Sequence, residues 1–133
     1  MKKILVLFCL GTVLFASCRR ETKDEKFKRD FEQFTQKECP KFVDDCTCLD
    51  SAYYNIENRT LNYYYTVQDV LDNDTIYTSE LVDAFHDDIL KGLKNSIQLK
   101  TYKDEGISFR YSYRSITTGK TLLDLIFTPE DYN

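Results

Sequence analysis

From Thr22 onward the apolar residues fall into two helix-period stripes, each followed by a stretch of strand-period alternation. Phe27, Phe31 and Phe34 recur at i, i+4 and i+7, which puts them on one helical face. Thr22 with Glu25 three residues on is a capping-box pattern. Pro40 removes a donor and disfavours helical geometry at Cys39. The pattern therefore predicts a helix over Lys23 to Glu38. After a connection at 41–47, a two-residue loop at Asn58-Arg59 would pair Ile56 with Leu61, Tyr54 with Tyr63 and Ala52 with Tyr65. That register gathers one largely apolar face and leaves Ser51, Tyr53, Asn55, Asn62, Tyr64 and Thr66 on the other.

A second helix starts with Thr78 or Ser79 as cap. Val82, Phe85, Ile89, Leu93 and Ile97 line one side of it, with Leu81 and Leu90 beside them. Gly92 inside this helix lowers helix propensity and suggests close packing at that point. In the last segment Ile107, Phe109, Tyr111 and Tyr113 alternate against Ser108, Arg110, Ser112 and Arg114. Leu123, Leu125 and Phe127 alternate in the same way. A three-residue loop Thr117-Thr118-Gly119, with Gly119 left-handed, pairs Tyr113 with Leu123, Tyr111 with Leu125 and Phe109 with Phe127. Asp124 then lies opposite Ser112, diagonally between Arg110 and Arg114. The order helix, hairpin, helix, hairpin defines an α+β fold. Its simplest packing is a four-stranded antiparallel sheet with both helices on one face. The other face is left to solvent.

The first residues carry a different pattern. Met1-Lys2-Lys3 is basic, 4–15 is an apolar run broken by Gly11 and Thr12, and Ala16-Ser17 precede Cys18. The run is shorter than the roughly 20 residues that span a bilayer, and the order is that of a secretory signal. With the cysteine at the cut point, the segment resembles a bacterial lipoprotein signal with its lipobox. The resemblance covers the leader only. It implies cleavage after residue 17, fatty-acyl chains such as palmitate on Cys18, and attachment of the mature protein to the membrane through that lipid. Arg19 stands where some bacteria use Asp to retain lipoproteins in the inner membrane, so the resemblance implies the outer membrane. The chain divides into a signal peptide (1–17), a lipidated tether (18–26) and one α+β domain (27–133).

Charge narrows the partners. The chain has 18 basic and 22 acidic residues, and two of the lysines fall in the leader, so from Cys18 onward the formal charge is −6. A mildly acidic domain does not neutralise phosphates, which argues against nucleic acid as a partner. It also leaves membrane attachment to the lipid. Export favours disulfides. Cys39, Cys46 and Cys48 remain after Cys9 and Cys18 are set aside, and a bridge from Cys39 to Cys46 or Cys48 is expected, with one thiol left over. Their spacing matches no common zinc pattern.

Catalytic signals are sparse. His86 is the single histidine, with Asp83 and Asp87 beside it, and Asp69, Asp72 and Asp74 lack the glycine and distal Glu of a calcium loop. No Gly-x-Ser-x-Gly, His-Glu-x-x-His or Gly-rich phosphate loop occurs. Neither a cofactor nor a metal is expected. The sequence favours a non-catalytic binding module that holds a protein or a glycan on the open sheet face. Tyr53, Tyr64, Arg110 and Arg114 are its candidate binding residues, with Asn55, Asn62, Ser112, Leu122, Asp124 and Ile126 around them, a composition like that of recognition surfaces. A carrier of a small ligand or lipid, with a cavity between helices and sheet, is the alternative, and an enzyme comes third.

Overall fold

The computed structural model describes residues 20–133, so the leader, Cys18 and the start of the tether lie outside the described residues. The fold is α+β, but its sheet has five strands and is mixed. Strand order is chain order, β1 (Lys41–Asp44), β2 (Thr47–Asn55), β3 (Thr60–Val67), β4 (Ser108–Ser115) and β5 (Thr121–Phe127). Among the described residues four α-helices accompany it: α1 (Lys23–Glu38), α2 (Ser79–Asn95), α3 (Lys100–Asp104) and α4 (Pro129–Tyr132).

Helix α1 has the predicted bounds and so includes residues 23–26 of the expected tether. The Thr22 hydroxyl accepts from the Glu25 amide at 3.1 Å, and Glu25 accepts from the Thr22 amide at 2.9 Å, which satisfies two orphan donors reciprocally. Phe27 and Phe31 are buried and Phe34 packs against the same core. The chain then passes a cis Cys39–Pro40 peptide into β1, a strand where a plain connection was expected. All four β1 residues are exposed, so no buried alternation marks it in the sequence.

The first hairpin differs from its predicted register by two residues. Asn55 pairs with Thr60, Tyr54 with Leu61 and Ala52 with Tyr63 around a four-residue loop, 56–59. The Asn55 side chain explains this, because it accepts from the Glu57 amide at 2.9 Å and builds the turn locally. Arg59 takes the left-handed conformation, with φ of 50°. A slip of two keeps the strand side chains on their expected faces, but Ile56, expected opposite Leu61, falls in the loop and is 36% exposed. The slip also puts Tyr53 opposite Asn62, and Tyr64 opposite Ser51, in place of the expected Tyr53–Tyr64 pair. The extra residue Asp50 forms a bulge between Leu49 and Ser51, which lets both Leu49 and Ala52 face inward.

The second hairpin pairs Phe109 with Phe127, Tyr111 with Leu125 and Tyr113 with Leu123, as alternation predicts, and Gly119 sits at φ 71°. A bulge after Tyr113 then shifts Arg114 opposite Thr121. The two hairpins join through a parallel pairing of β3 with β4, not an antiparallel one. The long connection through α2 and α3 returns the chain to the starting end of the sheet, as parallel neighbours require. Across this joint Tyr63 meets Tyr111 and Tyr65 meets Tyr113, with ring centroids 5.1 and 4.6 Å apart. Burial holds all four phenols well above their usual pKa.

All four helices lie on this tyrosine side. Tyr102 of α3 wedges against Phe27 and Phe31, at 4.7 and 5.0 Å. Leu93 of α2 is buried, with Ile89 and Leu90 packed beside it. Two features of the expected α2 stripe are corrected. Ile97 falls beyond the helix end and is 88% exposed. Gly92 meets no close neighbour, since a methyl group there would point into open space. The Tyr132 hydroxyl of α4 donates to the Ile107 carbonyl at 2.9 Å, which ties the C-terminus to the core.

Candidate interaction surface

Among the described residues no helix covers the second face of the sheet. Tyr53 and Tyr64 emerge there, 41% and 38% exposed, and Ile126 stands clear of the surface at the β5 edge. Asn62 does not join them. It is buried, and its amide donates to the Tyr53 and Thr60 carbonyls at 3.3 and 3.1 Å, so it braces the hairpin.

The two arginines, four residues apart on β4, are held differently. Arg110 is paired with Asp124 across the β4–β5 pair: Nε donates to Oδ1 at 2.8 Å and Nη2 to Oδ2. This forked ion pair holds the Asp124 carboxyl below the usual range and raises the guanidinium. Arg114 leans away from Asp124 toward β3 and β2, so the cluster of three expected on this face splits in two. Its Nε donates to the Thr66 hydroxyl at 3.1 Å, and that hydroxyl donates to Asp50 at 2.6 Å. Between these groups lies an open depression of about 400 Å³, lined among others by Asp50, Ser51, Tyr64, Ser112 and Arg114. A smaller one, about 260 Å³, lies on the other side of the Arg110–Asp124 pair.

Asp50 and Thr66 were not among the sequence candidates. Thr66 lies beside Arg114 only because β3 and β4 are adjacent, and Asp50 reaches the face only through its bulge. Neither relation is written in the alternation of one hairpin.

The remaining candidates fall elsewhere. Cys39, Cys46 and Cys48 are all free thiols, so the expected bridge from Cys39 to Cys46 or Cys48 is not formed. Burial raises the pKa of Cys39 and of Cys48. His86 faces the Phe127 ring at 4.9 Å and its Nδ1 lies 3.3 Å from Asp87. Asp72 accepts from the Thr117 amide at 3.3 Å and pins the acidic loop to the β4–β5 turn. No group of three His, Cys, Asp or Glu side chains among the described residues converges as a metal site would require. None of the described helices is long and apolar enough to cross a membrane.

A five-stranded mixed sheet with its described helices on one face defines a small α+β module. The chain belongs to the family described as Domain of unknown function (DUF8479), whose model matches residues 22–123. No curated protein matches the sequence. Solved structures share the fold at low identity. A protein from Pseudomonas aeruginosa described as secreted superposes with a TM-score of 0.65 at 11% identity, covering 83% of this chain and 96% of that one. The type II secretion system pilotin AspS from Vibrio cholerae gives 0.52 at 17% identity, covering 80% and 95%. The type 2 secretion system pilotin EpsS from Vibrio vulnificus gives 0.52 at 10%, covering 81% and 96%.

Proposed function

We propose that this chain is a lipid-anchored, non-catalytic envelope protein that holds a partner protein against the helix-free face of its sheet. The observation that carries the reading is the exposure of Tyr53 and Tyr64 on a face that no described helix covers. Large aromatic side chains beside arginine are the residues that dominate binding energy at protein interfaces. The lipobox-like leader supports anchoring through Cys18 and an outer-membrane address. The fold shared with two pilotins of type II secretion supports a helper's place beside an envelope assembly. His86, engaged with Phe127 and Asp87, supports a role without catalysis. The carrier alternative draws little support, because the rings of Phe27, Phe31, Tyr63, Tyr102 and Tyr111 meet one another where a cargo would sit.

A photo-crosslinking residue in place of Tyr53 or Tyr64 tests this in cells. A discrete adduct from either position, and none from Glu32 on the exposed side of α1, is the expected result. Adducts from Glu32 alone would move the partner to the helical side. Cys18→Ala is expected to abolish fatty-acid labelling, and unchanged labelling would end the lipoprotein reading.

A further inference from the structure

We infer that the depression beside Arg114 is a carboxylate site, and that it receives an acidic side chain of the partner; this rests on the partner-binding reading above. Arg114 differs from Arg110 in what its guanidinium has left to give. Arg110 spends Nε and Nη2 on Asp124. Arg114 spends only Nε, on Thr66, and its Nη2 stays 3.8 Å from Asp50, too far for a hydrogen bond. Its terminal nitrogens thus make an ion pair with Asp50 but no hydrogen bond among the described residues, on a side chain that is 60% exposed.

The same contacts aim the group. The Thr66 hydroxyl accepts from Arg114 and donates to Asp50, so a three-residue relay from β4 to β3 to β2 fixes the planar fork. A fork held in place matches the two oxygens of a carboxylate. Ser51 and Ser112 line the same depression and add hydroxyl donors to it.

Charge selects the kind of anion. Arg110, Arg114 and Asp50 line the depression, and Asp50 lies 3.8 Å from Arg114 Nη2. The lining therefore carries one net positive charge before a ligand arrives. A single negative charge fits it, whereas a phosphate dianion would carry its second charge toward Asp50. An acidic side chain can enter from a flat protein surface, because the depression is open and shallow.

NMR titration of the full mature protein in detergent micelles tests this, read at the Arg114 Nε–H and the Ser112 amide. The probes are acetyl-Glu-amide, its uncharged counterpart acetyl-Gln-amide, and methyl phosphate. The expected result is a saturable shift with acetyl-Glu-amide, at least tenfold weaker response to acetyl-Gln-amide, and no tighter binding of methyl phosphate. Arg114→Gln should abolish the shift at Ser112. Thr66→Val, which releases Nε but leaves the charge, should weaken it severalfold with the spectrum otherwise intact. Equal response to the Glu and Gln probes, retained binding in Arg114→Gln, or preference for methyl phosphate would overturn the inference. The partner reading fails separately: crosslinks at Tyr53 and Tyr64 with no carboxylate response would leave it standing.

Discussion

Thr35 and Ala52 share two hydrogen bonds through one hydroxyl. The Ala52 amide donates to Thr35 Oγ1 at 2.9 Å, and the same hydroxyl donates to the Ala52 carbonyl at 2.8 Å. β1 ends its pairing with β2 at Leu49, so Ala52 lies where the outer side of β2 has lost its neighbouring strand. A helix side chain stands in for the missing strand and blunts the edge. Thr35→Val, which keeps the shape and removes the hydroxyl, is expected to destabilise by about 1–3 kcal/mol in urea unfolding. Thr35→Ser should recover most of that loss.

Gly92 offers the opposite outcome. Open space surrounds it inside α2, so a methyl group meets nothing. Gly92→Ala is expected to stabilise by about 0.5–1 kcal/mol through helix propensity and to raise the thermal midpoint. Destabilisation would show that the glycine is packed after all.

Alkaline pH provides a third check. Burial, followed by its hydrogen bond to Asp24, pushes the Tyr54 phenol up to about 12, and burial raises Tyr63, Tyr65, Tyr111 and Tyr113 as well. A raised folded pKa leaves stability whole below the unfolded value near 10 and removes it as pH climbs toward the folded value. Absorbance at 295 nm should therefore show part of the tyrosine signal arriving late, together with loss of circular dichroism. Complete ionisation of a still-folded protein near pH 10 would contradict it.

The thiols give a fourth. Non-reduced mass spectrometry of the mature domain is expected to find Cys39, Cys46 and Cys48 reduced. Cys39 and Cys48 should react slowly with a maleimide at neutral pH and faster as pH rises, because burial disfavours the thiolate in both.

The C-terminal turn supplies a fifth. Tyr132→Phe removes the donor from the buried Ile107 carbonyl and should cost about 1 kcal/mol by thermal melt.

The sequence carried what neighbours along the chain could encode. Thr22 with Glu25, the three phenylalanines and Pro40 mark both ends of α1. The alternation from Ile107 to Phe127, with Gly119 in the turn, sets the last hairpin's register. What it withheld lay between segments. β1 was invisible because none of its side chains is buried. The parallel joint was invisible because nothing inside either hairpin states which strand lies next to the other. The same gap hid the candidate site's internal wiring. Arg114, Tyr53 and Tyr64 could be placed on a face, but Asp124 as partner of Arg110 alone, and Thr66 and Asp50 as partners of Arg114, depended on strand adjacency and on a bulge.

The parallel tyrosine joint also bears on how the molecule assembles. Each hairpin closes over a short loop, whereas Thr66 and Arg114, neighbours across the joint, are 48 residues apart in the chain. Pairings so distant in sequence are the slow ones, since the intervening chain must be ordered before they are rewarded. The two hairpins can therefore form early and independently, and the stacking of Tyr63 on Tyr111 and of Tyr65 on Tyr113 registers their late docking. Trimming those rings should therefore hasten unfolding more than it slows refolding, and the reverse result would make the joint part of the folding nucleus.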